Sequence, residues 1–162
     1  MLNVLYKAEQ DLPKLLSTKS IWNSLLIDYN KPYVERLWCT WGEYRINLHR
    51  IGHCTTAEAL FHPHPWPSAM RLVSGQYKMG VGYSASESTP RCAATVVLNP
   101  GSVYEMTELH GWHYVQPVTD NTLSVMITGR PWVRKGPQSN KRLKPLKSLI
   151  KQEILDEFSY HY

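Results

Sequence analysis

Cysteine is scarce in this chain: Cys39, Cys54 and Cys92 are the three among 162 residues. None stands in a CxxC pair, so neither a disulfide framework nor a thiolate zinc site is written here, and the thiols are expected to be reduced. Long apolar runs are missing as well. No stretch approaches the ~20 residues of a membrane helix, and positions 1–12 lack the basic, apolar, small-residue order of a secretory signal. A cytoplasmic protein without a membrane partner is expected. There is no glycine-rich phosphate loop and no repeat of fixed period, which leaves the parallel nucleotide-binding folds without support. Phe is down to 2 residues, yet 6 Trp and 10 Tyr help hold the hydrophobic fraction at 43%, too high for a disordered chain. The length is that of one ordinary globular domain.

Acidic residues are absent from one long stretch, and that absence explains the net charge of +5. Residues 1–129 hold ten Lys/Arg and ten Asp/Glu, residues 130–152 hold eight Lys/Arg and no acid, and three acids follow in 153–162. The body is electrically balanced, and the excess lies in a proline-bearing segment that reads as a linker and then a helix.

What is present is mostly period-two alternation. Two short helices are expected over 9–17 and 20–28, where leucines, Ile21 and Trp22 recur at mixed three and four spacings, and Asn30-Lys31-Pro32 stops them. From Tyr33 the period becomes two. Strands are expected over 33–39, 43–51, 57–62, 70–74, 77–83, 93–98, 111–117 and 123–128, separated by turn residues such as Ser74-Gly75 and Asn99-Pro100-Gly101. About eight short strands at near-regular spacing describe an antiparallel sandwich or barrel.

The histidines carry the chemistry. In Phe61-His62-Pro63-His64-Pro65-Trp66-Pro67 two imidazoles stand at i and i+2, so on an extended backbone both point to one face, and the interleaved prolines forbid a helix. A third, His113, lies on the strand expected over 111–117. Three neutral imidazoles with open positions suit iron(II), zinc, copper or nickel. The plainer alternative makes His62 and His64 surface residues of a proline-rich loop and His113 a satisfied core residue. His110 is an alternative third ligand; if Gly111 opens the strand, His110 falls in the preceding turn.

With these residues in this order the sequence resembles the cupin superfamily, whose first motif carries HxH followed by a glycine and whose second carries a further histidine. The first motif spans 52–82, with His62, His64, the Val73-Ser74-Gly75 turn and Gly80 or Gly82. The second runs from Asn99-Pro100-Gly101 through His113. The resemblance implies an all-β fold, a cupin-type double-stranded β-helix barrel over 33–129. A helical preface (1–32) and a basic linker with a C-terminal helix (130–162) would flank it. Many cupins place a glutamate ligand four or five residues after the second histidine, where this chain has Ser68 and Ala69. Three histidines without that glutamate resemble the thiol dioxygenases among the cupins, which implies an oxygenase with His62, His64 and His113 holding iron(II), or else zinc, nickel or copper. The cysteine that many of those enzymes place near the lost glutamate is absent too. An alternative is a non-catalytic or isomerase-like cupin that binds a sugar or other small polar ligand.

Further candidates attach to this reading. Arg71 could pair a substrate carboxylate through its planar fork, and Tyr104 and Tyr114 are further substrate contacts for a lumen with aromatic walls. Glu58 shares the parity of His62 and His64, as a lumen acid or as an exposed rim carboxylate. Structural or surface roles are expected of His49 and His53. Cys54 beside His53 resembles a nucleophile with its base, but neighbours on an extended strand point to opposite faces. In the tail a helix is expected over 145–158, with Leu146, Ile150, Ile154 and Phe158 docking on the barrel or on a second subunit as a homodimer. Its lysines oppose the helix dipole. Nucleic acid is the alternative partner for 130–152.

Overall fold

The computed structural model describes every residue except 87 and 138. Among the described residues ten strands form two antiparallel sheets. The larger has the order β1-β2-β3-β10-β5-β8 and the smaller β4-β9-β6-β7. The large sheet consists of β1 (Asn23–Ile27), β2 (Val34–Trp41), β3 (Tyr44–Ile51), β5 (Ser68–Ser74), β8 (Val103–Met106) and β10 (Thr122–Thr128). The small one consists of β4 (His62–Pro63), β6 (Tyr77–Tyr83), β7 (Ala94–Leu98) and β9 (Gly111–Pro117). Two helices, α1 (Leu2–Ser17) and α2 (Ser148–His161), flank them. No helix among the described residues is long and apolar enough to cross a membrane.

The strand alternation has an unexpected orientation. Leu37, Cys39, Ile46, Leu48, Leu123, Val125 and Ile127 are the apolar positions of β2, β3 and β10, and they form one core with Leu5, Ala8, Leu12 and Leu16 of α1 and Ile154, Leu155 and Phe158 of α2. The apolar face of the large sheet is therefore its outer face, covered by helices. The opposite face, bearing Arg36, Asn47 and His49, looks inward. Between the sheets lies a second, smaller core of Met70, Leu72, Tyr77, Met79, Val115 and Met126.

Several elements differ from the sequence expectation. The first helix starts at Leu2, because Leu2, Leu5 and Ala8 extend the stripe of Leu12 and Leu16. The expected helix over 20–28 is a single 3₁₀ turn at Lys19–Ile21 followed by β1, which pairs with β2 from Asn23↔Trp38 to Ile27↔Val34. Leu25-Leu26-Ile27 is a short apolar run that fits either period, and pairing with the edge of β2 decides it. The strand over 57–62 shrinks to His62–Pro63, since Pro63 and Pro65 have no N–H to give a ladder. Glu58 sits in the preceding turn as an exposed rim carboxylate. It bonds Lys31 at 2.7 Å and the Thr55 backbone N–H at 2.9 Å, which together hold its acid well below the ordinary range, at about 2. β8, too short to stand out as a pattern, pairs with β5 through Met70↔Tyr104.

Two glycines are required by shape. Gly75, at φ +79°, turns β5 into β6. A Cβ on Gly80 would lie 2.0 Å from the Tyr114 ring, so the bare backbone of β6 is the bed on which that ring rests. The helix α2 docks through Ile154, Leu155 and Phe158, all at most 2% exposed. Of the four side chains expected to dock, Ile154 and Phe158 are fully buried in this chain's own outer core, and Leu146 and Ile150 pack against it partly buried.

Candidate metal centre

The register of β4 against β9 sets His62 directly opposite His113. His64, two residues on, remains on the same inward face. The ligand atoms of the three rings all lie within 4.8 Å of one another. His64 Nε2 and His113 Nε2 approach to 2.7 Å, the distance of an N–H···N hydrogen bond in which one neutral ring donates and the other accepts. His62 Nδ1 lies 2.9 Å from the Leu60 carbonyl. A carbonyl only accepts, so Nδ1 carries the proton and Nε2 is the free lone pair. His64 Nδ1 lies 3.1 Å from Ser68 Oγ, which orients its Nε2 in the same way. Ser68, the residue expected at the position of a fourth ligand, braces a histidine. His113 Nδ1 is buried with no partner among the described residues.

Burial keeps these rings neutral, which is the form that binds metals. Desolvation, reinforced by His62 and Arg36, pushes His64 down to about 3. Burial likewise lowers His62, with Arg36 adding to it, and drives His113 well below the ordinary histidine range. The donor set of three neutral, inward, pre-aimed imidazoles fits a divalent transition metal. No carboxylate joins the cluster among the described residues. His110 does not join it either: its ring packs on Tyr83, 5.7 Å away, in the turn before β9.

The cluster opens into a cavity of about 330 Å³, lined by Ile27, Tyr29, Met70, Met126, Trp66 and Pro137 among others. Two residues that the sequence analysis did not select line it as well. His49 is inward on β3 and 4% exposed, so of the structural and surface roles expected for it the surface one does not hold. Its Nε2 accepts the Nε–H of Arg36 at 2.9 Å. Arg36 has no carboxylate within ion-pair distance among the described residues, and burial lowers its guanidinium to about 10, with Arg45 adding to the effect. The signal for both was in the chain: a two-residue turn at Gly42-Glu43 aligns Arg36 with His49.

The three residues expected to contact substrate are not brought to this cavity. Arg71 sits on the outer face of β5, where Nε donates to Glu9 at 2.5 Å and Nη2 at 3.0 Å, because its position has the parity of Ala69 and Val73. Tyr114 is outward on β9, its ring against Phe61 at 5.7 Å. Tyr104 comes nearest, 6.4 Å from the His113 ring, but its hydroxyl donates to Met70 Sδ at 3.0 Å and accepts from Tyr77. Burial pushes it up to about 12, so it is a neutral donor and not a base. His53 is exposed and Cys54 buried, so that pair forms no dyad.

Two antiparallel sheets face each other across the three histidines, and the fold is the cupin-type double-stranded β-helix with flanking helices. The chain resembles the solved structure of hydroxypropylphosphonic acid epoxidase from S. wedmorenis, at a TM-score of 0.50 and 14% identity over 65% of this chain and 55% of that one. The iron(II) form of that enzyme gives a TM-score of 0.50 at 13% identity, over 64% and 54% of the two chains. KdgF from Halomonas sp. aligns with a TM-score of 0.48 at 12% identity, over 65% of this chain and 87% of its own. The aligned region spans about half the length of the epoxidase. No protein-family model and no curated protein sequence matches the chain.

The neutral histidines make stability depend on pH in a defined direction. Each ring has a folded pKa below its unfolded value of about 6.5. The unfolded chain therefore takes up protons first as pH falls. The stability is fully present above about pH 6.5 and is lost on the way down to the folded values. The metal-free protein should melt at a lower temperature at about pH 5.5 than at about pH 7.5, a window in which carboxylates stay ionised. His64→Gln should flatten this difference. A wild-type melting temperature that is level across the window contradicts the assignment of neutral rings.

Proposed function

We propose that the protein is a mononuclear non-haem metal-dependent oxygenase acting on a small molecule, with His62, His64 and His113 as the metal ligands and iron(II) as the metal. The observation that carries the reading is the convergence of three buried imidazoles, with no carboxylate beside them among the described residues, on an open cavity. A closed structural site would have a fourth protein ligand. When bound, iron(II) supplies dioxygen activation. The chain supplies the rest. The Leu60 carbonyl holds His62 in its binding tautomer, Ser68 orients the His64 ring, and Met70, Met126 and Val115 exclude water from the floor of the cavity. Arg36, held by His49 and without a carboxylate partner among the described residues, presents a cationic wall to the substrate and favours one that carries an anionic group. Tyr104, behind Met70, acts as a buttress for His113 and not as a contact.

Anaerobic purification followed by elemental analysis and oxygen-uptake measurement tests the proposal. One iron per chain and oxygen uptake with small thiols or other anionic substrates is the expected result. Metal binding without oxygen uptake by any of them supports instead a cupin that binds a small polar ligand without redox chemistry. Arg36→Gln should raise the KM for an anionic substrate at least tenfold and leave metal content unchanged, because a charge-assisted hydrogen bond contributes about 1.5–3 kcal/mol.

A further inference from the structure

A second cavity, of about 280 Å³, lies on the far side of Arg36 and Trp66, which line both chambers. Its other walls include Arg45, Asn47, Thr40 and Thr128. These positions share the inward parity of β2, β3 and β10. The chamber is thus a continuation of the lumen past the guanidinium, away from the histidines.

Its chemistry is one-sided. Asn47 and Thr128 are 2% and 6% exposed and form a built floor. The Arg45 guanidinium lies over the Trp38 ring, 4.3 Å from its centroid, which fixes a side chain that would otherwise be free. Among the described residues neither Arg36 nor Arg45 has a carboxylate partner. The acid at the rim, Glu43, faces Arg130 at 3.3 Å. The Trp66 indole N–H is buried without an acceptor. Two guanidinium groups lining one chamber repel each other, and Arg45 contributes to the lowering of Arg36. An anion between them removes that cost and meets two planar forks that suit oxygens.

We propose that the chamber between Arg36 and Arg45 is an oxyanion-binding subsite, which takes a carboxylate or phosphate-type group. The oxyanion is either the far end of a substrate whose reacting end lies at the histidines or a free anion; the subsite itself stands without the oxygenase reading.

Inorganic phosphate is the probe, titrated calorimetrically into the full chain stripped of metal by a chelator. Saturable binding is expected, weakened at least tenfold in Arg45→Gln and less in Arg45→Lys, which keeps the charge but loses the fork. Lys78→Gln removes the same charge from the outer face of β6 and should leave the affinity unchanged. Equal phosphate affinity in wild type and Arg45→Gln, or an equal loss in Lys78→Gln, overturns the subsite. Repeating the titration with zinc-loaded protein and succinate separates the two sources. Affinity for succinate that rises with the metal marks a substrate end, and affinity indifferent to it marks a free anion. Because the first titration is made without metal, phosphate binding in a protein that proves to hold no iron would sink the oxygenase and leave the subsite standing.

Discussion

Replacing His113 by alanine is expected to abolish stoichiometric metal binding while leaving the metal-free protein folded. The three ligand atoms lie within 4.8 Å of one another, and removal of one leaves two imidazoles, fewer protein ligands than a stable transition-metal site keeps. Loss of a group that merely holds a ligand in place costs about 10–100-fold in affinity. That is the effect expected of Ser68→Ala, which frees His64 Nδ1 from its 3.1 Å contact. His113→Ala should exceed it. The variant loses the 2.7 Å contact of His113 Nε2 with His64, whereas His113 Nδ1 has no partner among the described residues, so the stability cost is limited to that one contact and the lost packing. Metal titration followed by melting in chelator separates the two effects. An unchanged metal affinity in His113→Ala would remove this residue from the site.

The histidine cluster was legible because it depends on local facts: the i, i+2 parity of His62 and His64, the prolines that keep that segment extended, and a histidine on a clear strand. What brings His113 opposite His62 is a sheet register across fifty residues, and no local pattern encodes it. The failures have a common cause. Arg45, Asn47 and His49 alternate with Ile46 and Leu48, and alternation alone does not say which face is covered. In an ordinary barrel the apolar side would look inward. Here α1 and α2 cover it from outside, so the polar side becomes the lumen and carries Arg36, Arg45 and His49 into the chambers. The same inversion sends Arg71 outward to Glu9 on α1. Helices at both ends of the chain, each with an apolar stripe and no partner of its own, were the available sign of that covering.

Phe158→Ala is expected to destabilise the protein by about 3–5 kcal/mol, the cost of deleting a fully buried aromatic side chain. For a domain of this size that corresponds to a fall in melting temperature of roughly 10 °C. Local electrostatics does not explain why α2 forms: Lys147 at its start and Asp156 and Glu157 near its end oppose the helix dipole. Lys147 also gives it no side-chain cap. The helix is held by tertiary contacts. Phe158, Ile154 and Leu155 fill the outer core. Arg50 of β3 reaches Glu157 at 2.9 Å and Glu153 at 3.6 Å, and also Glu35 on β2 at 2.6 Å, so the acids that weaken the helix in isolation tie it to the sheet. Lys151 Nζ donates to the Trp22 carbonyl at 2.5 Å, which gives a lysine of the unfavourable first turns a role of the same kind. Truncation after Gly129 should therefore cost more than Phe158→Ala, because it removes Ile154, Leu155 and Phe158 from the outer core together. Circular dichroism melts of wild type, Phe158→Ala and the truncated chain give the order. A truncated chain that melts with the wild type would show that α2 does not cover the sheet in solution.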